Sequence, residues 1–176
     1  MFAQFLGQAD DVLNAKGGTD IFQLSPARVS LTQGHEHLAC MRLTPKGLRR
    51  WYASCCNTPI GNTLANAKPP FLGLIHNFTD HTGEGRSRDA TAGPVRAHVN
   101  GRVGFAGDDG QPLGFLSKTG MLWHSVKLLF GSWIRREHRP SEFFDDGGAP
   151  RVSATVLDQA DHAKLKQEVE ARTTDV

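Results

Sequence analysis

The chain has 176 residues, of which 39% are hydrophobic and 22% charged. That is enough apolar material for one packed domain and too much for a disordered chain. A formal net charge of +2 gives no footprint for general nucleic-acid binding, and three cysteines do not make a disulfide framework.

The opening stretch, "MFAQFLGQADD", has neither a basic leader nor a signal-type apolar core, and no apolar run reaches the roughly 18–20 residues that cross a bilayer. A cytoplasmic location is the expectation. Phe2, Phe5, Leu6, Ala9, Val12 and Leu13 recur at helical spacing, and "AKGG" supplies a stop, so a first helix is expected here. Its stripe begins at residue 2 without a cap. It reads either as an ordinary frayed end or as a helix that has lost what preceded it.

Nineteen glycines point to a turn-rich, strand-rich body. Five short strands are expected: "DIFQL", "ARVSLT", "HLACMRL", "LRRWYAS" and "PIGNT", parted by turn signals at "SP", "QGHE" and "TPKG". "PPFLGLIHNF" reads as a buried strand, residues 79–93 as a loop, and "VRAHVNGRVGFAGDDG" as a hairpin or edge strand. Over residues 117–137, Leu122, Val126, Leu129 and Trp133 form a helical stripe, widened by Met121, Trp123, Phe130 and Ile134. The stripe is expected to pack on the sheet, with "RREHR" completing the helix dipole; the other reading is a membrane-surface helix with a basic end. Pro140 breaks the pattern, and a last helix runs from an Asp158 cap to about Arg172.

Chemistry concentrates in "WYASCCNTPIGNT". Cys55 and Cys56 read either as thiolate ligands of zinc, with further donors from elsewhere, or as two small packed residues. A vicinal disulfide is a third reading. Neighbouring side chains on a strand point to opposite faces, which makes the pair a poor local clip. In "GHEHLAC", His35 and His37 would share a strand face with Cys40 opposite; the alternative is exposed turn histidines and a core cysteine. "IHNFTDH" carries His76, Asp80 and His81; His76 reads either as a satisfied structural histidine ending a buried strand or as an acid–base candidate, with no nucleophile or metal site visible beside it.

The stretch from "TDIFQLSPARVSLTQG" through "LRRWYASCCNTPIGNT" resembles part of the glutathione-dependent formaldehyde-activating enzyme (GFA) and CENP-V family. With "FLGQADDVLNAKGGTDIFQ" and "HRPSEFFDDGGAPRV", the whole chain resembles a bacterial family of uncharacterised proteins related to it. The resemblance implies a single mainly β (α+β) domain over residues 1–176, with packed short antiparallel sheets and about three peripheral helices. It implies zinc held by two early cysteine motifs and a late C-x-x-C. Cys56 matches the last cysteine of the late motif, Ala53 stands at its partner position, and Cys55 would substitute. Both early motifs would precede Met1, so a truncated chain is expected. Complete relatives would be carbon–sulfur lyases acting on glutathione-type thiol adducts. In this chain, catalytic zinc residues are not visible and the activity is expected to be lost. The rival is a non-catalytic binding or scaffold module on the same fold, with self-association through the N-terminal side.

Overall fold

A computed structural model describes residues 1–13, 18–76 and 118–174, with the single positions 87, 90 and 93. The architecture is α+β with strands dominant. Six strands form one mixed sheet: β1 Ile21–Leu24, β2 Leu38–Arg42, β3 Arg49–Ala53, β4 Thr58–Thr63, β5 Leu72–Ile75 and β6 Thr155–Val156. Their order is β1-β5-β4-β3-β2-β6. Every pairing is antiparallel except β2 with β6, where Met41 faces Thr155. Among the described residues the helices are α1 Phe2–Phe5, α2 Ala9–Val12, α3 Lys118–Ile134 and α4 Gln159–Thr174.

Strand alternation gives the sheet two apolar faces. One carries Leu38, Cys40, Trp51, Ile60, Leu72 and Leu74, and is closed by Phe143 and Phe144. Trp51 is its centre: fully buried, with ring centroids 5.1 Å from Phe143 and 6.0 Å from Phe144. Its indole N–H donates to Thr63 Oγ1 at 2.8 Å, which satisfies the polar edge of a buried ring. Burying such a side chain stabilises the fold by roughly 1.5–3 kcal/mol. The other face takes Met41 and Ile75 and is covered by Phe2, Ala3, Leu6 and Val12. The strands run close together: a Cβ on Gly61 would lie 2.8 Å from the Gly73 carbonyl oxygen, so only glycine fits there.

Several expectations need correction. The first helix is two short ones. Gly7 takes a left-handed φ of +69° and ends α1 with a Schellman pattern, Gly7 N–H to Gln4 O and Gln8 N–H to Ala3 O. Phe2 is buried there, stacked edge-on to Tyr52 and lying under the Arg50 guanidinium, while Phe5 is exposed. "ARVSLT" is not a strand. Pro26–Arg28 make a single 3₁₀ turn, since proline starts such a turn well and donates nothing to a ladder. The strands make one sheet rather than several. The region expected as loop and hairpin, 79–110, lies outside the described residues apart from the three single positions.

The larger surprise is α3. It docks through polar atoms. Ser132 Oγ lies 2.8 Å from Ser25 Oγ, and Ser125 Oγ reaches Gln23 Oε1 at 3.5 Å. Just past the helix, Glu137 accepts from the Ser25 hydroxyl at 2.8 Å and from Arg28 at 3.2 Å, and its carbonyl accepts from the Ala27 amide. These partners hold the Glu137 carboxyl down to about 2, the Ser25 hydroxyl contributing most, then Arg28 and Ser132. Of the expected buried stripe, Leu129 is half-buried, Val126 and Trp133 are exposed, and the Leu122 side chain lies outside the described set. Trp123, Phe130 and Ile134, expected to widen the stripe, are exposed as well, so most of the described apolar side chains of α3 turn outward.

Candidate functional site: a dithiol turn

β3 and β4 are joined by Ser54, Cys55, Cys56 and Asn57, closed where Ala53 pairs with Thr58. Asn57 adopts a left-handed φ of 56°, a conformation that asparagine tolerates better than most residues. The Cys56 amide reaches the Ala53 carbonyl at 3.4 Å, and the Ser54 amide and hydroxyl both donate to the His37 carbonyl. Gln8, in the link between α1 and α2, donates from Nε2 to the Cys56 carbonyl at 3.3 Å.

Because both cysteines sit in the turn and not on a strand, alternation does not separate them. Their Sγ atoms are 3.6 Å apart and both side chains are exposed. The two thiols are unequal. Cys56 Sγ lies 3.0 Å from Thr58 Oγ1. The Thr58 hydroxyl, then the Thr58 amide, lower the Cys56 pKa from its ordinary value, because both donate to the anionic sulfur. Cys55 is pushed the other way, chiefly because it donates its proton toward Cys56; burial, the neighbouring thiolate and Glu36 add to this. The Thr58 donors thus favour the anion of Cys56, while the contact with Cys56 disfavours that of Cys55.

Beside Cys55 opens a groove of about 200 Å³. Leu31, Leu38, Ala53 and Ile60 make its apolar walls, and His37 and Cys55 stand at its rim. His35 and His37 belong to a one-turn 3₁₀ helix leading into β2, not to the strand itself. His35 Nδ1 faces Glu142 at 3.6 Å and His37 Nε2 faces Glu36 at 3.5 Å. Cys40 is a core residue whose thiol pKa is raised by burial, so it does not join the pair. His76 follows β5 and lines a separate cavity with Asp11 and Asp20; Asp80 and His81 lie outside the described residues.

The resemblance implies zinc at Cys55 and Cys56. Two thiols are half of a tetrahedral set. Among the described residues no group of three or more His, Cys, Asp or Glu side chains comes together in a metal-holding arrangement. The sequence reading missed Thr58 and Gln8. A threonine two residues beyond a cysteine in a turn is a readable signal. Gln8 carries none, since only the fold brings it there.

Fold and site together define an α+β protein with an exposed dithiol turn beside a small apolar groove. The chain belongs to a family of unknown function, DUF6151, whose model matches residues 1–154. This corrects the resemblance to the GFA/CENP-V family: the matching family model is a different one, and that family gives no match. No curated protein and no solved structure matches the chain.

Proposed function

We propose that this protein is a binding module that captures small thiol compounds at Cys56, with a glutathione-type thiol as the ligand class. The observation that carries this reading is the geometry of the turn, two exposed sulfurs 3.6 Å apart with the Thr58 hydroxyl 3.0 Å from Cys56 Sγ, which favours the thiolate at Cys56 over Cys55. In the capture step the Cys56 thiolate attacks one sulfur of a small-molecule disulfide. A Cys56–ligand disulfide forms, the ligand S–S bond breaks, and the second ligand half leaves as a thiolate that takes a proton from water. The disulfide is the oxidant, and no net redox change is left over.

Geometry favours retention of the captured thiol. Release by Cys55 would close a disulfide between adjacent residues, whose Cα atoms are about 3.8 Å apart, short of the roughly 4.4–6.8 Å that disulfides span. The resulting ring is strained, so resolution is slow. The groove walls accept the apolar portion of the ligand, and His37 supplies a polar contact at the rim.

Intact-mass analysis after exposure to glutathione disulfide tests the reading. One glutathionyl adduct per chain is expected, absent in Cys56→Ser and longer-lived in Cys55→Ser. Equal labelling of both single variants, or no adduct on the native chain, would overturn it. Buried Cys40 stays unmodified in each case and serves as the internal reference.

A further inference from the structure

Helix α3 exposes what a soluble helix normally hides. Trp123 is 65% exposed, Phe130 60%, Trp133 56% and Ile134 61%, with Val126 at 42%. At 3.6 residues per turn these five fall within roughly 100° of arc, and Ser125 and Ser132 lie on the opposite side. The serines face the body of the protein through Gln23 and Ser25. The apolar arc is thus held outward by specific contacts on its back. Phe130 and Trp133 stack on one another, centroids 6.3 Å apart, which gives the arc a continuous aromatic surface.

Charge says what this surface meets. From Lys118 to Arg136 there is no Asp or Glu, while Lys118, Lys127, Arg135 and Arg136 contribute +4. The whole chain carries +2, so the remainder carries −2. The helix is a cationic element on a slightly acidic protein. Glu137, the first acid beyond it, is turned inward and paired with Arg28 and Ser25. Lys127 and Arg135 are both exposed, Lys127 beside the aromatic arc and Arg135 at its C-terminal end.

We infer that α3 is an interfacial helix that docks the protein onto an anionic lipid surface. Tryptophan and phenylalanine on one face, with Lys127 beside them and Arg135 and Arg136 just past the last turn, is a composition that settles at the boundary between headgroups and acyl chains. The helix is about 25 Å long, and no described helix is long and apolar enough to cross a membrane, so it lies in the plane. A second copy of the chain is the poorer occupant. A two-fold contact through this face would bring two positively charged helices together, with no acid on either to pair them.

The test uses the full chain and vesicles of phosphatidylcholine, with and without phosphatidylserine. Flotation with the anionic vesicles is expected, with a blue shift of tryptophan emission that high salt weakens. The triple variant Trp123→Ala, Phe130→Ala, Trp133→Ala should lose flotation while keeping its melting temperature, since the three side chains are exposed. The pair Arg135→Gln and Arg136→Gln should weaken partitioning roughly thirtyfold, the effect of two basic residues near an anionic surface. Failure to float with anionic vesicles overturns the inference. So does flotation that the triple variant retains. A concentration-dependent dimer that the triple variant abolishes, without lipid binding by the native chain, assigns the face to self-association instead.

Discussion

Helices α3 and α4 have 17 and 16 residues and sit in the same fold under opposite rules. α4 is polar, with six of its sixteen residues charged; it buries Leu165 and reaches α1, where Gln4 donates to Glu168 at 3.4 Å. α3 is mostly apolar; it buries Ser132 and turns its aromatic residues outward. The difference teaches that periodicity identifies which side chains share a face, and the surface opposite decides where that face points. Ser25, Gln23 and Arg28 offer α3 hydrogen bonds, so its polar side docks. α4 lies against α1, which carries the buried Phe2 and Ala3, and it buries Leu165.

The strongest way to break this contrast is to truncate one apolar side chain on each helix. Leu165→Ala should lower stability by about 2–3 kcal/mol, the cost of a cavity in a packed contact. Trp133→Ala, which removes the larger side chain, should change it by no more than about 0.5 kcal/mol, as at other exposed positions. Urea unfolding of both variants decides the matter, and a reversed order would mean that α3 is packed against the body after all.

Smaller effects sharpen the comparison at the helix boundaries. The Asp158 carboxylate accepts the Asp161 amide at 2.7 Å and caps α4, so Asp158→Ala should cost about 1 kcal/mol. Ser132→Ala removes one member of the polar seam under α3 and should cost about 0.5–1.5 kcal/mol by the same measurement. If Ser132→Ala stabilised the protein instead, the seam would be an unsatisfied polar patch and not the dock of α3.

The subtlest test is titration of Glu137. Its folded pKa, about 2, lies below the ordinary 4.5, so its contribution to stability is complete above pH 4.5 and is lost as pH falls through about 2. Carboxyl chemical shifts should follow that midpoint. Ser25→Ala should raise it more than Arg28→Gln does, because the hydroxyl is the larger cause. An unchanged midpoint in both variants would remove the seam as the origin of the shift.

Much of the sheet was legible in the sequence because alternation and turn residues act locally. β1, β2, β3 and β5 fall within the expected segments, as does α3; β4 starts one residue earlier, at Thr58, and α4, with its Asp158 cap, runs two residues further, to Thr174. The break at Gly7 was obscured because apolar spacing continues across it. β6 is two residues long and exists only through its pairing with β2, so no periodicity announces it. Phe143 and Phe144 follow a proline and precede "DDGG"; their burial depends on Trp51, which lies far away in sequence. For the site, the cysteine pair was visible at once, yet its chemistry was not. The convergence of the two sulfurs follows from the turn, and the activation of Cys56 follows from Thr58.

The closure of the Trp51 face by Phe143 and Phe144 also imposes an order on synthesis. The four-strand meander from β2 to β5 is complete in the growing chain once Ile75 has emerged from the ribosome. The two phenylalanines that cover its tryptophan, and the short strand that shields the β2 edge, come much later. A nascent chain that stalls between these points presents a bare aromatic face and an open strand edge, the two features that chaperones and neighbouring chains bind most readily. That exposure lasts from the emergence of Ile75 until Phe143, Phe144 and β6 have left the ribosome.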